Sequence, residues 1–509
     1  MSAILGADFV APSIDWFALS PILVLLGGGL VLLVTSALTP MWPRRLYAWT
    51  TVAIIAAALV LSCIQWDNIS DSGPKFLVGD ALAFDAFSMF GTITICVGAI
   101  LAVLVTDDWL RREGMEGPEV YGLYLMSALG GVVMVMANDL IVLFLGLETL
   151  SIALYVLAAS NRKRTQSQES GIKYFVLGGF SSAFFLYGIA LVYGGTGSTN
   201  FNKILTAFDS VPVDRNDAFV LAGIALLLVG LAFKVTAVPF HWWSPDVYQG
   251  APTPVTAFMA SVTKVAAFAA MLRVLVVALP NWKDDWQPVV WALAVLTLVF
   301  GSILAVVQND VKRMLAYSSI SHAGFILIGV EAAGHPGGST GRGMPSTMLY
   351  LLLYSVLVVG TFAVVALVAR TGDGDTDISA FRGLYRQKPL LAVGFTVLLL
   401  AQAGVPLTSG FTAKFAVIEA AVDEHSYALS IIAMVSAVVS AFIYLRIMVS
   451  VWYSEPAADS KLEPVRVPFS SAVAITLCVG FTLLVGFFPD WLIDASDKVV
   501  QVARPAIGG

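Results

Sequence analysis

The segments FKVTAVPFHWWSPDVYQGAPTPV (233–255) and GVPLTSGFTAKF (404–415) decide the fold, because each places a Val-Pro step and a lysine inside a long apolar run. These runs cover 217–246 and 388–423, which is more than a straight helix needs to cross a bilayer. Proline removes an intrahelical hydrogen bond and clashes with the preceding turn. Broken backbone at membrane depth is tolerated only where it is buried in protein or lines a water-filled cavity. We therefore predict two discontinuous membrane helices.

The composition also indicates a membrane protein. The 509 residues are 58% apolar and only 12% charged, with a mean hydropathy of +0.85, whereas a soluble domain carries about 25% charged residues. This balance excludes a soluble enzyme and a disordered scaffold, and the net charge of −6 argues against a nucleic-acid binder. All three cysteines lie in apolar runs, which excludes a disulfide framework and a CxxC metal site. We predict an all-α, polytopic integral membrane protein.

Apolar runs of sufficient length predict about 14 transmembrane helices. The predicted spans are 17–38, 47–66, 83–106, 120–137, 139–159, 171–194, 217–246, 254–279, 288–308, 314–332, 346–369, 388–423, 427–452 and 469–488. Alternate loops are rich in Lys and Arg, and such loops face the cytoplasm. The residues assigned to these inner loops are Arg44, Arg45, Arg111, Arg112, Arg162, Lys163, Arg164, Lys312, Arg313, Arg382, Arg386, Lys388, Lys461 and Arg466. We expect a bacterial inner-membrane protein with both termini in the periplasm.

Short words that recur at nearly constant spacing predict an internal duplication. The recurring pairs are Asn138-Asp139 with Asn309-Asp310, Leu272-Arg273 with Leu445-Arg446, and Val238-Pro239 with Val405-Pro406. Their offsets are 171, 173 and 167 residues. Because each copy contains five spans, an odd number, the two copies are expected to be inverted. The predicted domains are three amino-terminal helices (1–119), the first repeat with broken helix seven (120–281), the second repeat with broken helix twelve (282–453), and a final helix and tail (454–509).

Charged residues inside the spans are the candidate functional groups. Glu148, Lys173, Lys234, Lys264 and Lys414 lie within apolar runs, although an ionised residue at a helix centre costs roughly 2.5–3.5 kcal/mol. All except Lys173, which is close to a basic loop, are too deep to reach the headgroups easily. Burial and a nearby opposite charge shift the proton affinity of a lysine in opposite directions. A contact between Lys234 and Glu148 that forms and breaks is therefore expected to move a proton.

Three further sets of polar residues are open to more than one interpretation. His322, in AYSSISHAGF (316–325), is either a hydrogen-bonded core residue or a proton carrier, since imidazole titrates near neutral pH. His241 and Asp246 follow the first break and could gate the inner mouth, although interface anchoring explains the adjacent tryptophans equally well. The arginines near span ends are expected to extend to the headgroups rather than to act in the interior. They are Arg273, Arg370 and Arg446.

The sequence carries no nucleotide or redox-cofactor signature. It has no Walker loop, no GxGxxG loop between a strand and a helix, and no histidines paired at haem spacing. We therefore expect no ATP, NADH, flavin, haem or iron–sulfur cluster on this chain. The energy for any transport must come from an ion gradient or from a partner protein.

Several segments resemble the antiporter-like membrane subunits of respiratory complex I. They are GLETLSIALYVL (146–157), GIKYFVLG (171–178), ASVTK (260–264) and the two segments that contain the breaks. The resemblance covers most of the chain, from about residue 75 to residue 455. The sister subunits and the Mrp antiporters usually show PFHxWLPDAHxxAP where this chain has PFHWWSPDVYQGAP (239–252), so the chain most resembles the N-type subunits.

This resemblance implies a proton relay. The matching residues are the essential glutamate Glu148, its lysine partner Lys234, the connecting Lys264, the terminal Lys414, the less critical Lys173 and the axial histidine His322. In that family, quinone reduction elsewhere in the complex perturbs the relay, and protons pass from the inner to the outer side. The resemblance places FMN, the iron–sulfur clusters and the quinone site on partner subunits, so it implies no cofactor and no metal here.

The leading hypothesis is thus a proton-translocating subunit of an NADH:quinone oxidoreductase. Its expected partners are other membrane subunits of complex I, including sister antiporter-like subunits, and lipid. An alternative is a stand-alone or Mrp-type cation/proton antiporter, but a sodium site favours oxygen ligands, whereas the deep charges here are mostly lysines. A third is a structural spacer, in which case replacing Lys234 or Glu148 by alanine would leave turnover intact.

Overall fold

The chain folds into a bundle of helices with one small hairpin. The computed structural model describes residues 14–39, 42–115, 117–209, 218–335, 341–369, 373–455 and 465–502. The helices are α1 (Ser20–Leu38), α2 (Arg44–Ser72), α3 (Ala86–Glu113), α4 (Pro118–Met136), α5 (Leu140–Ala158), α6 (Thr165–Thr196), α7 (Phe201–Asp209), α8 (Ala218–Val235), α9 (Trp243–Gly250), α10 (Thr253–Phe258), α11 (Lys264–Leu272), α12 (Lys283–Val306), α13 (Val311–Ala332), α14 (Gly343–Val368), α15 (Leu384–Gln387), α16 (Pro389–Ala403), α17 (Ser409–Asp423), α18 (Tyr427–Trp452), α19 (Phe469–Phe487) and α20 (Asp490–Asp497).

Shorter elements complete the secondary structure. Strands β1 (Lys75–Leu77) and β2 (Leu82–Phe84) pair in antiparallel fashion. Two π-helical segments, Met259–Thr263 and Arg273–Ala278, extend α10 and α11 into one continuous helix, Thr253–Ala278. Single 3₁₀ turns lie at Pro280–Trp282, Ile378–Phe381 and Lys498–Val500. Of the residues named above, Arg370 and Lys461 lie outside the described residues, as does the side chain of Arg44.

The predicted all-α membrane fold is confirmed. Within the described residues, 13 helices are long and apolar enough to cross a membrane. The remaining predicted span, 388–423, is divided between α16 and α17, each of which has 15 residues and is too short to cross alone. These two half-helices together provide the missing crossing, so the structure agrees with the predicted span count.

Both predicted breaks are present, and the backbone turns sharply at each. Helix α8 ends at Val235 and the chain resumes as α9 at Trp243, with Thr236 at φ +64°. Helix α16 ends at Ala403 and α17 begins at Ser409, with Leu407 at φ +66°. A residue with a Cβ atom rarely adopts positive φ. Each break is therefore held by the surrounding structure and not by local preference alone.

The recurring sequence words make matching contacts. Asp139 forms an isolated bridge with Asn200, and Asp310 forms the same kind of bridge with Asp377. The residues after the two aspartates donate their backbone N–H groups to equivalent threonine carbonyls, Leu140 to Thr199 at 2.9 Å and Val311 to Thr376 at 2.7 Å. Five membrane crossings separate Asp139 from Asp310, so the two clusters lie at opposite ends of the bundle. The predicted domain limits themselves stay predictions.

The centre of the bundle consists of the helices that carry the candidate residues. The continuous helix Thr253–Ala278 is almost entirely buried, α14 is buried along its whole length, and α13 is buried except at Arg313. In contrast, α1, α2, α6, α18 and α19 each keep an exposed apolar face. Apolar side chains facing outward are what a lipid-exposed or subunit-exposed helix requires. Buried polar groups on the central helices are therefore enclosed by protein on every side.

Candidate functional site

Lys234 lies in the last turn of α8, immediately before the first break. Its side chain is buried, and its Nζ donates to Ser151 Oγ at 2.7 Å and to Tyr155 Oη at 3.4 Å. The rings of Tyr155 and Tyr174 each lie 5.5 Å from Nζ, close enough for cation–π attraction. The ammonium group is thus stabilised by hydroxyls and aromatic faces deep inside the bundle.

Glu148 lies one turn before Ser151 on the same helix, α5, so the two side chains share a face. Its Oε1 accepts a short hydrogen bond from Ser182 Oγ of α6. Lys234 and Glu148 do not approach within 4 Å of each other in this structure, so the expected direct contact is not made. The ammonium group is bonded instead to Ser151, one turn further along α5.

The two tryptophans beside the first break differ in exposure and in contacts. Trp242 is 73% exposed, which fits an interfacial anchor, but Trp243 is buried. The ring of Trp243 stacks on Tyr174 with centroids 4.6 Å apart, and its Nε1 donates to the carbonyl of Phe233 at 3.0 Å. Trp243 therefore closes the aromatic surroundings of Lys234 and fixes the end of α8.

Lys264 begins α11 and lies in the most buried part of the molecule. Its Nζ donates to the backbone carbonyl of Ser319, on α13. The ring of Tyr354, from α14, lies 5.5 Å from Nζ, and the Tyr354 hydroxyl donates to Ser319 Oγ at 2.8 Å. The lysine is thus held between α13 and α14 and is bonded through neutral groups.

His322 is held by tyrosine hydroxyls on both ring nitrogens. Its Nδ1 lies 2.6 Å from Tyr350 Oη, and its Nε2 lies 3.2 Å from Tyr444 Oη. The Tyr444 hydroxyl also lies 2.6 Å from Ser318 Oγ. Of the two interpretations of this histidine, the hydrogen-bonded one describes its geometry. Hydroxyl groups both donate and accept, so these same bonds also permit proton transfer.

Lys414 lies in the second turn of α17, just after the second break. Its Nζ donates to the carbonyls of Gln402 and Ala403, each at 2.9 Å. These carbonyls end α16 and have no partner further along that helix. A Cβ atom on Gly404, whose φ is +90°, would lie 2.9 Å from Lys414 Cδ. The break therefore creates both the acceptors and the space for the lysine.

Lys173 lies in a polar cavity at one end of the bundle, unlike the buried lysines. Its side chain is 39% exposed and pairs with Asp246 and Glu169, each at 2.7 Å. Asp246 also accepts from Arg313 at 2.6 Å. The cavity has a volume of about 230 Å³. His241 is buried and does not line it, so only Asp246 of the proposed gate pair lies at this mouth.

The expectation that Arg273 extends to the headgroups was wrong. Its side chain is 1% exposed, and its Nη2 donates to Asp85 at 2.7 Å while its Nε donates to the carbonyl of Val135 at 2.5 Å. Asp85 also caps α3, accepting from the backbone N–H of Ser88 at 2.8 Å. The pattern Asp-x-x-Ser before an apolar run is a helix-start signal, but sequence alone gave no reason to pair this carboxylate with Arg273.

Arg446 also stays within the protein, but at its edge. It donates to the carbonyls of Val306 and Gln308, at 3.1 and 2.6 Å, and to the side chain of Asn309. These acceptors lie at the end of α12 and just after it, and Val135, which accepts from Arg273, lies in the last turn of α4. The arginines therefore cap matching helices in the two repeats, which explains their recurrence in the sequence.

Asp373, for which no sequence pattern indicated a role, is a buried junction between helix ends. It accepts from the Trp109 indole at 3.1 Å and from the backbone N–H of Thr253 at 2.9 Å, and Lys312 Nζ lies 3.5 Å away. Burial alone would raise the pKa of Asp373, but Lys312 and these hydrogen bonds lower it below the ordinary value of 3.8. The ionised carboxylate therefore joins α3, α10 and α13.

The arrangement offers several groups that can carry protons. Across the described residues, no group of three or more His, Cys, Asp or Glu side chains is placed to hold a metal ion. Amine, imidazole and hydroxyl groups, which the buried lysines, the histidine and the residues between them carry, are chemically able to exchange protons. Chemically, the site can hold, release and pass protons.

Residues 137–440 match the family described as NADH:quinone oxidoreductase/Mrp antiporter, transmembrane. A relative from Streptomyces griseus, NADH-quinone oxidoreductase subunit N 3, is 41% identical, with 99% of this chain and 97% of the relative covered. A chain of respiratory complex I from Thermus thermophilus is 31% identical with a TM-score of 0.78, covering 94% of this chain and 99% of that one. A chain of the Mrp complex from Dietzia sp. shares the fold, with a TM-score of 0.82, 21% identity, and coverage of 95% and 96%.

Proposed function

The chain belongs to the subunit N family of NADH-quinone oxidoreductases, the antiporter-like membrane subunits of respiratory complex I, and we propose that it translocates protons through a buried relay. The relay consists of Glu148, Lys234, Lys264, His322 and Lys414. Quinone reduction on partner subunits drives it. The redox groups, FMN, iron–sulfur clusters and quinone, bind to those partners and not to this chain.

One observation carries the proposal: four buried cationic or imidazole side chains lie on four different central or broken helices and are bonded through neutral groups. Lys234, Lys264 and Lys414 donate to hydroxyls or backbone carbonyls, and His322 is bonded to two hydroxyls. An isolated structural charge is normally paired with an opposite charge when it is buried. A group that must gain and lose protons is suited to neutral partners, because an opposite charge would stabilise only its charged form.

Hydrogen bonds connect Ser318, Tyr444, His322 and Tyr350 in the central segment of the relay. Lys264 lies beside this chain, because it donates to the backbone carbonyl of Ser319, and the hydroxyl of the adjacent Ser318 contacts the Tyr444 hydroxyl at 2.6 Å. That hydroxyl contacts His322, which in turn contacts Tyr350 at 2.6 Å. A proton moves along such a chain when each hydroxyl donates to the next acceptor as it accepts from the previous donor.

In the first segment of the relay, the ammonium group of Lys234 has two positions, one at Ser151 and one at Glu148. Lys234 contacts Ser151 in this structure, and Glu148 lies one turn earlier on α5. Movement of the ammonium group from Ser151 to Glu148 would favour its protonated form, and return to Ser151 would favour release. A conformational change transmitted from partner subunits needs only to shift α5 against α8 to bias these positions.

Protons reach the relay from the end of the bundle that carries the basic loops. The polar cavity containing Lys173 and Asp246 opens there and lies next to the α9 half of the broken helix. Its side chains are solvated and mutually paired, so it supplies water and exchangeable protons close to the Lys234 surroundings. In a bacterial inner membrane this end faces the cytoplasm, and both chain termini lie in the periplasm.

The decisive experiment measures NADH-driven proton pumping in membranes carrying Lys234→Ala, with assembly checked by native gel. Lys388→Ala, which alters an exposed lysine, is the matched control. We expect the Lys234→Ala complex to assemble and to lose most of its turnover and pumping, while the control keeps both. An assembled Lys234→Ala complex that pumps at the wild-type rate would make the lysine structural. A chain that never joins such a complex would instead support the independent antiporter.

A further inference from the structure

A second cavity, unrelated to the relay, lies where α2, α3, α14 and α19 meet. Its volume is about 500 Å³. Four arginines line it: Arg45, Arg111, Arg112 and Arg466. Two aspartates, Asp107 and Asp108, share the same lining, so the formal charge of the lining is positive. The basic-loop rule places this end of the bundle at the inner leaflet.

The four arginines differ in how many of their guanidinium donors are hydrogen-bonded or ion-paired within the chain. Arg111 is neutralised by Asp107 and Asp108, at 2.6 and 2.5 Å. Among the described residues, Arg45 and Arg466 are exposed and form no ion pair. Arg112 donates from Nη1 to the Ala366 carbonyl at 2.8 Å and from Nε to Glu113 at 3.3 Å, and its Nη2 lies 4.0 Å from the carboxylate of Asp373. Two guanidinium groups, those of Arg45 and Arg466, thus retain donors for an anion.

One wall of the cavity is joined by hydrogen bonds and carries a hydroxyl that has no partner within the described residues. Asp108 accepts from the backbone N–H and the hydroxyl of Ser471, at 2.9 and 2.6 Å, which joins α3 to the start of α19. The neighbouring Ser470 is 6% exposed, and its Oγ has no hydrogen-bond partner within the described residues. A buried hydroxyl without a partner costs free energy unless a ligand or water binds to it.

Aromatic side chains flank the opening of the cavity. Trp49 is 47% exposed and Phe469 is 75% exposed, and both line it. Tryptophan and other aromatic residues concentrate at the depth of the lipid headgroups. Beyond them, the outer faces of α1 and α2 are apolar, with Val31, Val34 and Val60 more than half exposed. A headgroup in the cavity would therefore leave its acyl chains against an apolar surface.

We propose that this cavity binds the phosphodiester headgroup of an anionic phospholipid from the inner leaflet. Arg45 and Arg466 donate to the phosphate oxygens, since the planar guanidinium group matches phosphate geometry. Ser470 Oγ donates to the same group. Basic pockets between membrane helices on the cytoplasmic side are suited to anionic headgroups. The bound lipid ties α2 to α3 and α19, and so holds the amino-terminal helices to the repeats.

The test uses the purified, delipidated complex and phosphatidylglycerol that carries a photoreactive group in one acyl chain. Labelling of peptides containing residues 44–49 and 466–471 is measured against lipid concentration. The variant is Arg45→Gln with Arg466→Gln, and the control is Arg382→Gln, an exposed arginine in another inner loop. Each arginine near the surface contributes about 1 kcal/mol to anionic lipid binding, so we expect about 30-fold weaker labelling in the double variant. The control should label as the wild type does.

Competition distinguishes the source of the phosphate. Unlabelled phosphatidylglycerol should compete, whereas phosphatidylcholine and millimolar inorganic phosphate should not. Equal competition by phosphate would make the cavity a free-anion site, and equal labelling by a phosphatidylcholine probe would make it a non-selective lipid groove. Labelling that needs the chain to be separated from its partners would mean that a partner subunit covers the cavity. Each of these three outcomes overturns the proposal.

A second variant guards against a failure of assembly. Ser470→Ala removes only the unused hydroxyl and leaves every described contact of the wall in place. We expect it to weaken phosphatidylglycerol labelling about fivefold, the effect of one hydrogen bond. Wild-type labelling in both variants would overturn the assignment of the cavity.

Discussion

At the first break Lys234 donates to the side chains of Ser151 and Tyr155, whereas at the second break Lys414 donates to the backbone carbonyls of Gln402 and Ala403. Both lysines are buried, and both breaks contain a residue at positive φ. The first lysine precedes its break, and the second follows it. A broken helix therefore occurs at both sites, but its lysine is bonded to side chains at the first break and to backbone carbonyls at the second.

The side chains around the two lysines also differ. The offset of 171 that aligns Asp139 with Asp310 places Ser319 where the first repeat has Glu148, and His322 where it has Ser151. The first repeat thus holds a carboxylate one turn from its lysine, whereas the second holds a histidine bonded to two hydroxyls. The duplication conserves the scaffold, since backbone capping depends on a few short words. The proton chemistry is free to differ because it depends on single side chains.

The largest difference should appear between the two capping arginines. Arg273→Met removes the buried guanidinium group that pairs with Asp85 and is expected to cost about 3–5 kcal/mol. Arg446→Met, at the protein edge, removes hydrogen bonds to carbonyls and should cost about 1 kcal/mol. The thermal unfolding midpoint of the purified complex reports both. Adding Asp85→Asn to Arg273→Met should recover part of the loss, because Asn still caps α3; equal losses in the two single variants would contradict the assignment.

A smaller effect is expected at Asp373, which has no acidic counterpart in the first repeat. The spacing that aligns Thr376 with Thr199 places Thr196 there. Asp373→Asn leaves Lys312 without its nearby carboxylate and should cost about 2 kcal/mol. Since the pKa of Asp373 is lowered from 3.8, its contribution to stability is present above pH 3.8 and is lost as the pH falls through the lowered value.

The measurement for Asp373 is the unfolding midpoint as a function of pH. The wild type should lose stability in acid more steeply than Asp373→Asn, so that the two curves converge below pH 3.8. Thr196→Ala is the control and should parallel the wild type. A constant gap between wild type and Asp373→Asn across this range would show that the carboxylate is not ionised in the folded protein.

Proton pumping is expected to depend on a side chain near Lys234 but on backbone atoms around Lys414. Glu148→Gln removes the carboxylate near Lys234 and should lower NADH-driven pumping about tenfold, the effect of roughly 1.4 kcal/mol. Thr361→Val removes only the hydroxyl that accepts from Gln402 at 2.6 Å and leaves the carbonyls around Lys414 in place. We expect pumping within about twofold of the wild type there, because those acceptors are backbone atoms. The reverse ranking of the two variants would mean that the second break is the more sensitive one.

The smallest effects on stability are expected at the starts of α5 and α13, which make matching contacts. Thr199 Oγ1 donates to Asp139 at 2.8 Å, and Thr376 Oγ1 makes the same bond to Asp310. Thr199→Val and Thr376→Val should each cost about 1 kcal/mol in unfolding free energy, because each removes one hydrogen bond. A difference of several kcal/mol between the two would show that these contacts are not equivalent.

Much of the architecture followed from sequence because hydrophobicity and proline act locally. The two broken helices were predicted at 238–239 and 405–406, and the structure interrupts the helices on either side of those positions. The recurring Asn-Asp words identified helix starts that do make matching contacts. The relay residues named from sequence are buried, apart from the half-buried Glu148 and the more exposed Lys173. Their function stays a prediction.

The sequence by itself determined the membrane class, the number of crossings, the breaks and the duplication, because each depends on the cost of exposing polar backbone or charge to lipid over a short stretch of chain. Only the tertiary structure decided the partners: Arg273 with Asp85, Asp373 with Lys312, and Lys234 with Ser151 instead of Glu148. These pairs are separated by many residues, and a buried charge accepts whichever polar group the packing of helices brings within hydrogen-bond distance. That choice depends on distances of a few ångströms between helices, which no local pattern in the sequence specifies.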